Sequence, residues 1–195
     1  AGQRGPPRLF LRPAATALIA ATSLSGARVA RRLAARFEAR GKPGTVVSDN
    51  GAGDTNPAVG VVSWSGGTFP WVLNIDTGMS RPALGFTDSP KLRLDFTDTS
   101  YDIGEFTIMF TDTGFVGTGN LLLSAELTAT TPGQVLYEVW ADSNDNPFGL
   151  QQLVTSNGVG SPSGTAGSSE TFNNPGGTYS LTQVVKIQHG VGANT

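Results

Sequence analysis

Between Lys91 and Thr113 the chain alternates apolar and polar residues with a period of two, twice over. Leu92, Leu94 and Phe96 alternate with Arg93, Asp95 and Thr97. After the polar break Thr99–Gly104, Phe106, Ile108 and Phe110 alternate with Thr107, Met109 and Thr111. That period belongs to strands with one buried face, and two such runs across a short Asp/Gly-containing loop predict a hairpin. The two apolar triplets are expected on one face at the centre of a sheet, where burial stabilises by about 1.5–3 kcal/mol per side chain.

The rest of the body repeats this pattern. Strands are expected near Val59–Trp64, Trp71–Asp76, Lys91–Thr97, Glu105–Thr111, Leu121–Thr130, Val135–Ala141, Leu150–Thr155 and Tyr179–Gln188, with a weaker one near Ala166–Phe172. The gaps between them are rich in Gly, Pro, Asn and Asp, the residues that turns require. Eight or nine short strands at this spacing predict an all-β chain, an antiparallel β-sandwich of jelly-roll or Ig-like type. Gly158–Ser169 is low-complexity Gly/Ser sequence and reads as a loop. The last strand shows one core face, Tyr179, Leu181, Val185 and Ile187, and an almost wholly polar opposite face.

The first 43 residues are a different kind of sequence. Residues 1–42 carry nine Lys/Arg against Glu38, about +8, whereas residues 43–195 carry four against fourteen Asp/Glu, about −10; the two sum to the net −2. An acidic body argues against general nucleic-acid affinity, and the basic arm alone offers weak, salt-sensitive phosphate contacts. Ala14–Ala21 is apolar but too short to span a bilayer; after basic residues it has the look of a secretory h-region. From Ser25, Val29, Leu33 and Phe37 recur every four residues among arginines, Ser25 can cap, and Gly41 with Pro43 can stop a helix. The expectation is a basic helical appendage over residues 1–43, dispensable for a sandwich domain over residues 44–195. With no Cys in the chain, disulfides, thiolate metal sites and cysteine nucleophiles are excluded.

Two resemblances are carried by particular stretches. ALIAATSLSGARVARRLAARFEARGKPGTVVSDNG, Ala17–Gly51, resembles part of the integrase-like core of insertion-sequence transposases. That likeness implies that Asp49 matches the second carboxylate of a DDE triad. The strand bearing the first Asp is missing, and Gly85 lies where the family places its Glu. Two-metal chemistry needs several carboxylates, so the stretch reads as an inactive fused fragment. From about Thr45, the blocks SDNGAGDTNPAVGVVSW, WVLNIDTGMSRPALG, KLRLDFTDTS, FTIMFTDTGFVG, VLYEVWADSNDNPFG and TYSLTQVVKIQHG resemble the PEP-CTERM family. Those are exported proteins held at the cell surface by a C-terminal Pro-Glu-Pro sorting signal and associated with extracellular matrix or biofilm. The resemblance implies a secreted, cell-surface, non-enzymatic structural protein, here without the membrane-anchoring signal.

Candidate site residues are few. Asp142, Asn144 and Asn146 supply the first alternating oxygens of a Ca²⁺ loop, but Pro147 stands where the tight-turn Gly belongs and no Glu follows six residues on. Ca²⁺ is the one cofactor to test. Trp64, Trp71 and Trp140 are either a sugar-stacking platform or core residues, the former making the chain a carbohydrate-binding module for extracellular polysaccharide. FTD recurs at Phe86–Asp88, Phe96–Asp98 and Phe110–Asp112, which an Asx turn at a strand exit explains. His189 is the one histidine, with no GxSxG to partner it. The PEP-CTERM resemblance places one further strand after QVVKIQH, so an unpaired sheet edge is expected to take a strand from another copy. Thr45–Ser48 is the expected donor, and Lys186 is expected to blunt that edge.

Overall fold

The computed structural model describes residues 32–39, 44–68 and 71–189. Among them the chain is all-β, with eleven strands in antiparallel sheets and no helix. The strands are β1 (Ala34–Ala39), β2 (Thr45–Ser48), β3 (Val61–Thr68), β4 (Trp71–Met79), β5 (Arg93–Ser100), β6 (Gly104–Val116), β7 (Gly119–Thr130), β8 (Gln134–Asp142), β9 (Gln152–Gly160), β10 (Ser163–Asn174) and β11 (Thr178–His189). A six-stranded sheet has the order β2-β1-β6-β11-β8-β9. A three-stranded sheet, β3-β4-β5, and a two-stranded ribbon, β10-β7, share one hydrophobic core with it.

The triplets of the opening pattern do face a common core, but β5 and β6 are not a hairpin. β5 pairs with β4, and β6 pairs with β1 and β11 in the other sheet. Tyr101–Ile103 carries the chain from one layer to the other. Phe106, Ile108 and Phe110 are buried, and Leu92, Leu94 and Phe96 are only half-buried. Alternation fixes which face of a strand is apolar; it does not fix the strand's partner. Close layer contact is visible at Gly78 of β4, where a Cβ would stand 2.8 Å from the Phe110 ring.

Of the predicted helix the structure describes residues 32–39, which contain no helix and in which Ala34–Ala39 is a strand. Ala34–Ala39 pairs with Phe106–Thr111 of β6 on one side, and Ala34–Phe37 pairs with Thr45–Ser48 on the other. Residues four apart share a face in a strand as well as in a helix, and Leu33, Ala35 and Phe37 form a buried period-two row. Val29 and the rest of the predicted helix lie outside the described residues. The expected division after residue 43 therefore falls inside the β1–β2 pair, and Thr45–Ser48, expected to be a donor arm, is already paired within its own sheet.

Gly158–Ser169 is likewise not a loop but the end of β9, a turn at Ser161 and Pro162, and the first part of β10. β10 runs in register with β7 over Ser163–Asn174, with hydroxyl pairs Ser124–Ser169 and Thr128–Thr165 bridging the strands. Small hydroxyl residues leave no apolar periodicity to read, yet they zip well across an antiparallel pair. The polar face of β11 is also buried at Ser180 and Thr182. Ser180 donates to Asn146 O, and Thr182 Oγ1 lies 3.1 Å from Thr111 Oγ1.

Candidate functional site

A groove of about 1170 Å³ lies between β5 and β7. Its walls are the edge strands of the two smaller sheets. β5 is paired only on its β4 side and β7 only on its β10 side, so among the described residues neither facing edge has a ladder partner. Its floor belongs to the six-stranded sheet: Leu181, Gln183 and Val185 of β11, with Tyr137 and Val139 of β8.

Both walls start and finish together. Val116 N–H, just before β7, donates to Thr87 O, just ahead of β5. At the far end Asp98 of β5 lies against His189, and the turn after β7 brings Gly133 against Gln188, where a Cβ would meet Gln188 O at 2.0 Å. β5 and β7 thus run in the same direction across the gap. Neighbouring strands need about 4.8 Å each, and one strand running antiparallel to both would pair with each of them.

The chemistry of the lining fits that occupant. Leu94 and Phe96 on one wall, with Leu121, Leu123 and Ala125 on the other, point toward the core but remain half-exposed. The corresponding residues of β6, flanked by strands on both sides, are buried. Gln183 is 8% exposed; its Nε2 donates to Tyr137 Oη at 2.8 Å and to Leu92 O at 3.2 Å, and its Oε1 is buried without a hydrogen-bond partner. Burial pushes the Tyr137 phenol up to about 12, against the opposing effect of Gln183, so it stays neutral. The floor is mainly apolar, and the walls alternate apolar residues with Arg93, Asp95, Ser124 and Glu126. The two facing strand edges have no ladder partner among the described residues, a geometry that can accept a polypeptide strand.

The residues singled out by sequence lie elsewhere. Asp142 Oδ1 accepts from Asn144 N–H and its Oδ2 from Asn146 Nδ2. The Asn146 side chain thus turns its donor, not its oxygen, toward the carboxylate, which is an Asx-type closure of the loop. Among the described residues no three His, Asp or Glu side chains are grouped to hold a metal ion. Asp49 sits in the turn after β2, accepting from Gly60 N–H and Asn50 Nδ2.

The three tryptophans do not share a face. Trp71 is buried against Phe106 and His189, Trp64 stacks on Phe37 at 4.4 Å, and Trp140 lies on the outer face of β8, donating to Glu138. Of the FTD copies, Phe86 is exposed in a loop, while Asp112 is wholly buried inside β6, taking a 2.6 Å hydrogen bond from Ser80 Oγ and facing Arg81.

Sequence reasoning expected an unpaired edge but placed it beside the last strand. β11 is in fact central, paired on both sides. The groove's walls carried a signal, the alternation of β5 and β7, but their separation depends on long-range packing that alternation does not encode. No known family, no curated protein and no solved structure matches the chain.

Proposed function

We infer that the chain is a non-enzymatic structural protein of an extracellular surface or matrix, a jelly-roll-type β-sandwich that self-associates by strand addition. The observation that carries the reading is the groove: two parallel-running strand edges, unpaired among the described residues, over an apolar floor. Free edges are templates for a further strand, and proteins normally blunt them with charge or cover. Arg93 and Asp95 on the β5 edge pair with each other at 2.7 Å, which lessens their power to repel. The PEP-CTERM resemblance of residues 45–195 supports the extracellular setting.

Sedimentation velocity over a wide concentration range tests the reading. The chain should show weak, concentration-dependent association, and Leu123→Lys, which puts a charge into the groove, should abolish it. A strictly monomeric chain at high concentration, or association indifferent to Leu123→Lys, would count against it.

A further inference from the structure

We propose that the contact between Asp98 and His189 is a proton-operated latch on the groove. While the pair holds its proton, the end of β5 is tied to the end of β11 and the groove keeps its wall; when the proton leaves, that end of β5 loosens. The proposal rests on the reading of the groove as a strand acceptor and adds what regulates it.

The latch stands where the groove ends. The lining runs along β5 as far as Phe96 and along β7 as far as Thr128, and Asp98 is the next residue after Phe96 on the same face of β5. β5 is an edge strand whose one ladder runs to β4. Apart from the covalent link Tyr101–Ile103, its far end therefore relies on side chains for its hold on the six-stranded sheet. The β7 wall is fastened without any titratable group: just after it, Thr131 N–H donates to Pro162 O and Gly133 packs against Gln188.

The pair is built around one proton. His189 Nε2 lies 3.4 Å from Asp98 Oδ2, and Asp98 Oδ2 and His189 Nδ1 are both buried without a hydrogen-bond partner. Trp71 of β4 covers the imidazole at 4.9 Å between ring centroids. β4 presents Trp71 and Leu73 to the pair, and β6 presents Gly104 and Phe106. Glu105 pairs with Gln188 and takes the opposite face of β6. Among the described residues no other charged side chain forms an ion pair with either member. One proton leaves the pair neutral as a whole, as carboxyl with imidazole or as carboxylate with imidazolium. Removing it leaves a buried carboxylate beside a neutral ring, and an uncompensated buried charge is relieved by letting water in.

The direction follows from burial, which holds the Asp98 carboxyl above its usual 3.8 against the opposing effect of His189. The proton is kept past the pH at which a free carboxyl loses it, so the latch is shut on the acid side and released as pH rises. A wall held in place presents its backbone groups already aligned, and a preordered edge takes a strand without the cost of ordering it. Strand acceptance is strongest with the latch shut.

The chain has a single histidine, so one set of imidazole signals reports on the pair by NMR from about pH 4 to about pH 9, a range spanning the ordinary carboxyl and imidazole values. Protection factors from amide hydrogen exchange are followed over the same range. Amides of Thr97–Ser100 that pair with β4 should lose about tenfold or more of their protection as pH rises through the midpoint of the ring signals, while amides of β8 keep theirs. In Asp98→Asn the loss should be absent. No loss in β5, a loss shared equally by β8, or a loss that persists in Asp98→Asn would each overturn the latch. His189→Gln guards against a folding defect in Asp98→Asn: the midpoint of the β5 loss should move, and an unmoved midpoint would overturn the proposal. Sedimentation separates the latch from the reading beneath it. Association should weaken through the same midpoint in the natural chain and not in Asp98→Asn; association indifferent to pH would overturn the latch's control of the groove. If exchange behaves as expected but no form associates at any pH, the self-association reading fails while the latch stands.

Discussion

His189 Nε2 lies 3.4 Å from Asp98 Oδ2, joining the end of the central strand of one sheet to the end of the edge strand that faces it. Asp98 Oδ2 and His189 Nδ1 are both buried without a hydrogen-bond partner. Burial holds the Asp98 carboxyl above its usual 3.8, and His189 and a backbone hydrogen bond only partly oppose this. Because the folded state holds this proton more tightly than the unfolded state, the stabilisation is full below the unfolded value and is lost as pH rises through the folded one. Asp98→Asn, neutral throughout, should therefore flatten the decline in stability above pH 4 in chemical denaturation. An unchanged pH profile would show that this carboxyl does not titrate differently on folding.

Phe110 and Phe96 separate the two walls of the core. Phe110 is fully buried and Phe96 half-buried. Phe110→Ala should cost about 3–5 kcal/mol, and Phe96→Ala clearly less, because its ring borders the open groove. Thr97, exposed on β5, should tolerate Ala. Denaturant midpoints with a common slope check the order; a Phe96 cost equal to that of Phe110 would mean the groove side is closed.

Phe37 is 4% exposed and stacks on Trp64. Phe37→Ala should cost about 3–5 kcal/mol, and deleting residues 1–43, which removes β1, should abolish the cooperative transition or lower its midpoint strongly. An unchanged midpoint would restore the separable appendage that charge and composition predict.

These cases show what the sequence discloses. The core faces of β5, β6 and β11 are legible from alternation, and Phe106, Ile108 and Phe110 lie where their spacing puts them; that Thr111, Ser180 and Thr182 on the opposite faces are buried as well is not. Partners are not legible: Tyr101–Ile103 looks like a hairpin loop and is a crossing between layers. β1 misleads because Leu33 and Phe37 satisfy two periods at once. The groove is hidden because Leu94 and Leu123 read as ordinary core positions, and only the absence of a strand between them in the described fold leaves them half-exposed.

The width of the groove is the central claim, and a chain without cysteine permits a clean measure of it. Leu94→Cys on β5 and Leu123→Cys on β7 form one test pair; Met79→Cys and Arg93→Cys, on the paired strands β4 and β5, form the control. A disulfide needs Cα atoms roughly 4.4–6.8 Å apart, whereas walls one strand apart stand roughly 9.6 Å apart, twice the strand spacing. Mild oxidation of the folded monomer, followed by mass spectrometry, should close the control pair and leave Cys at 94 and 123 as free thiols. Rapid, complete closure of the 94–123 pair would mean that β5 and β7 meet edge to edge, and no strand could lie between them.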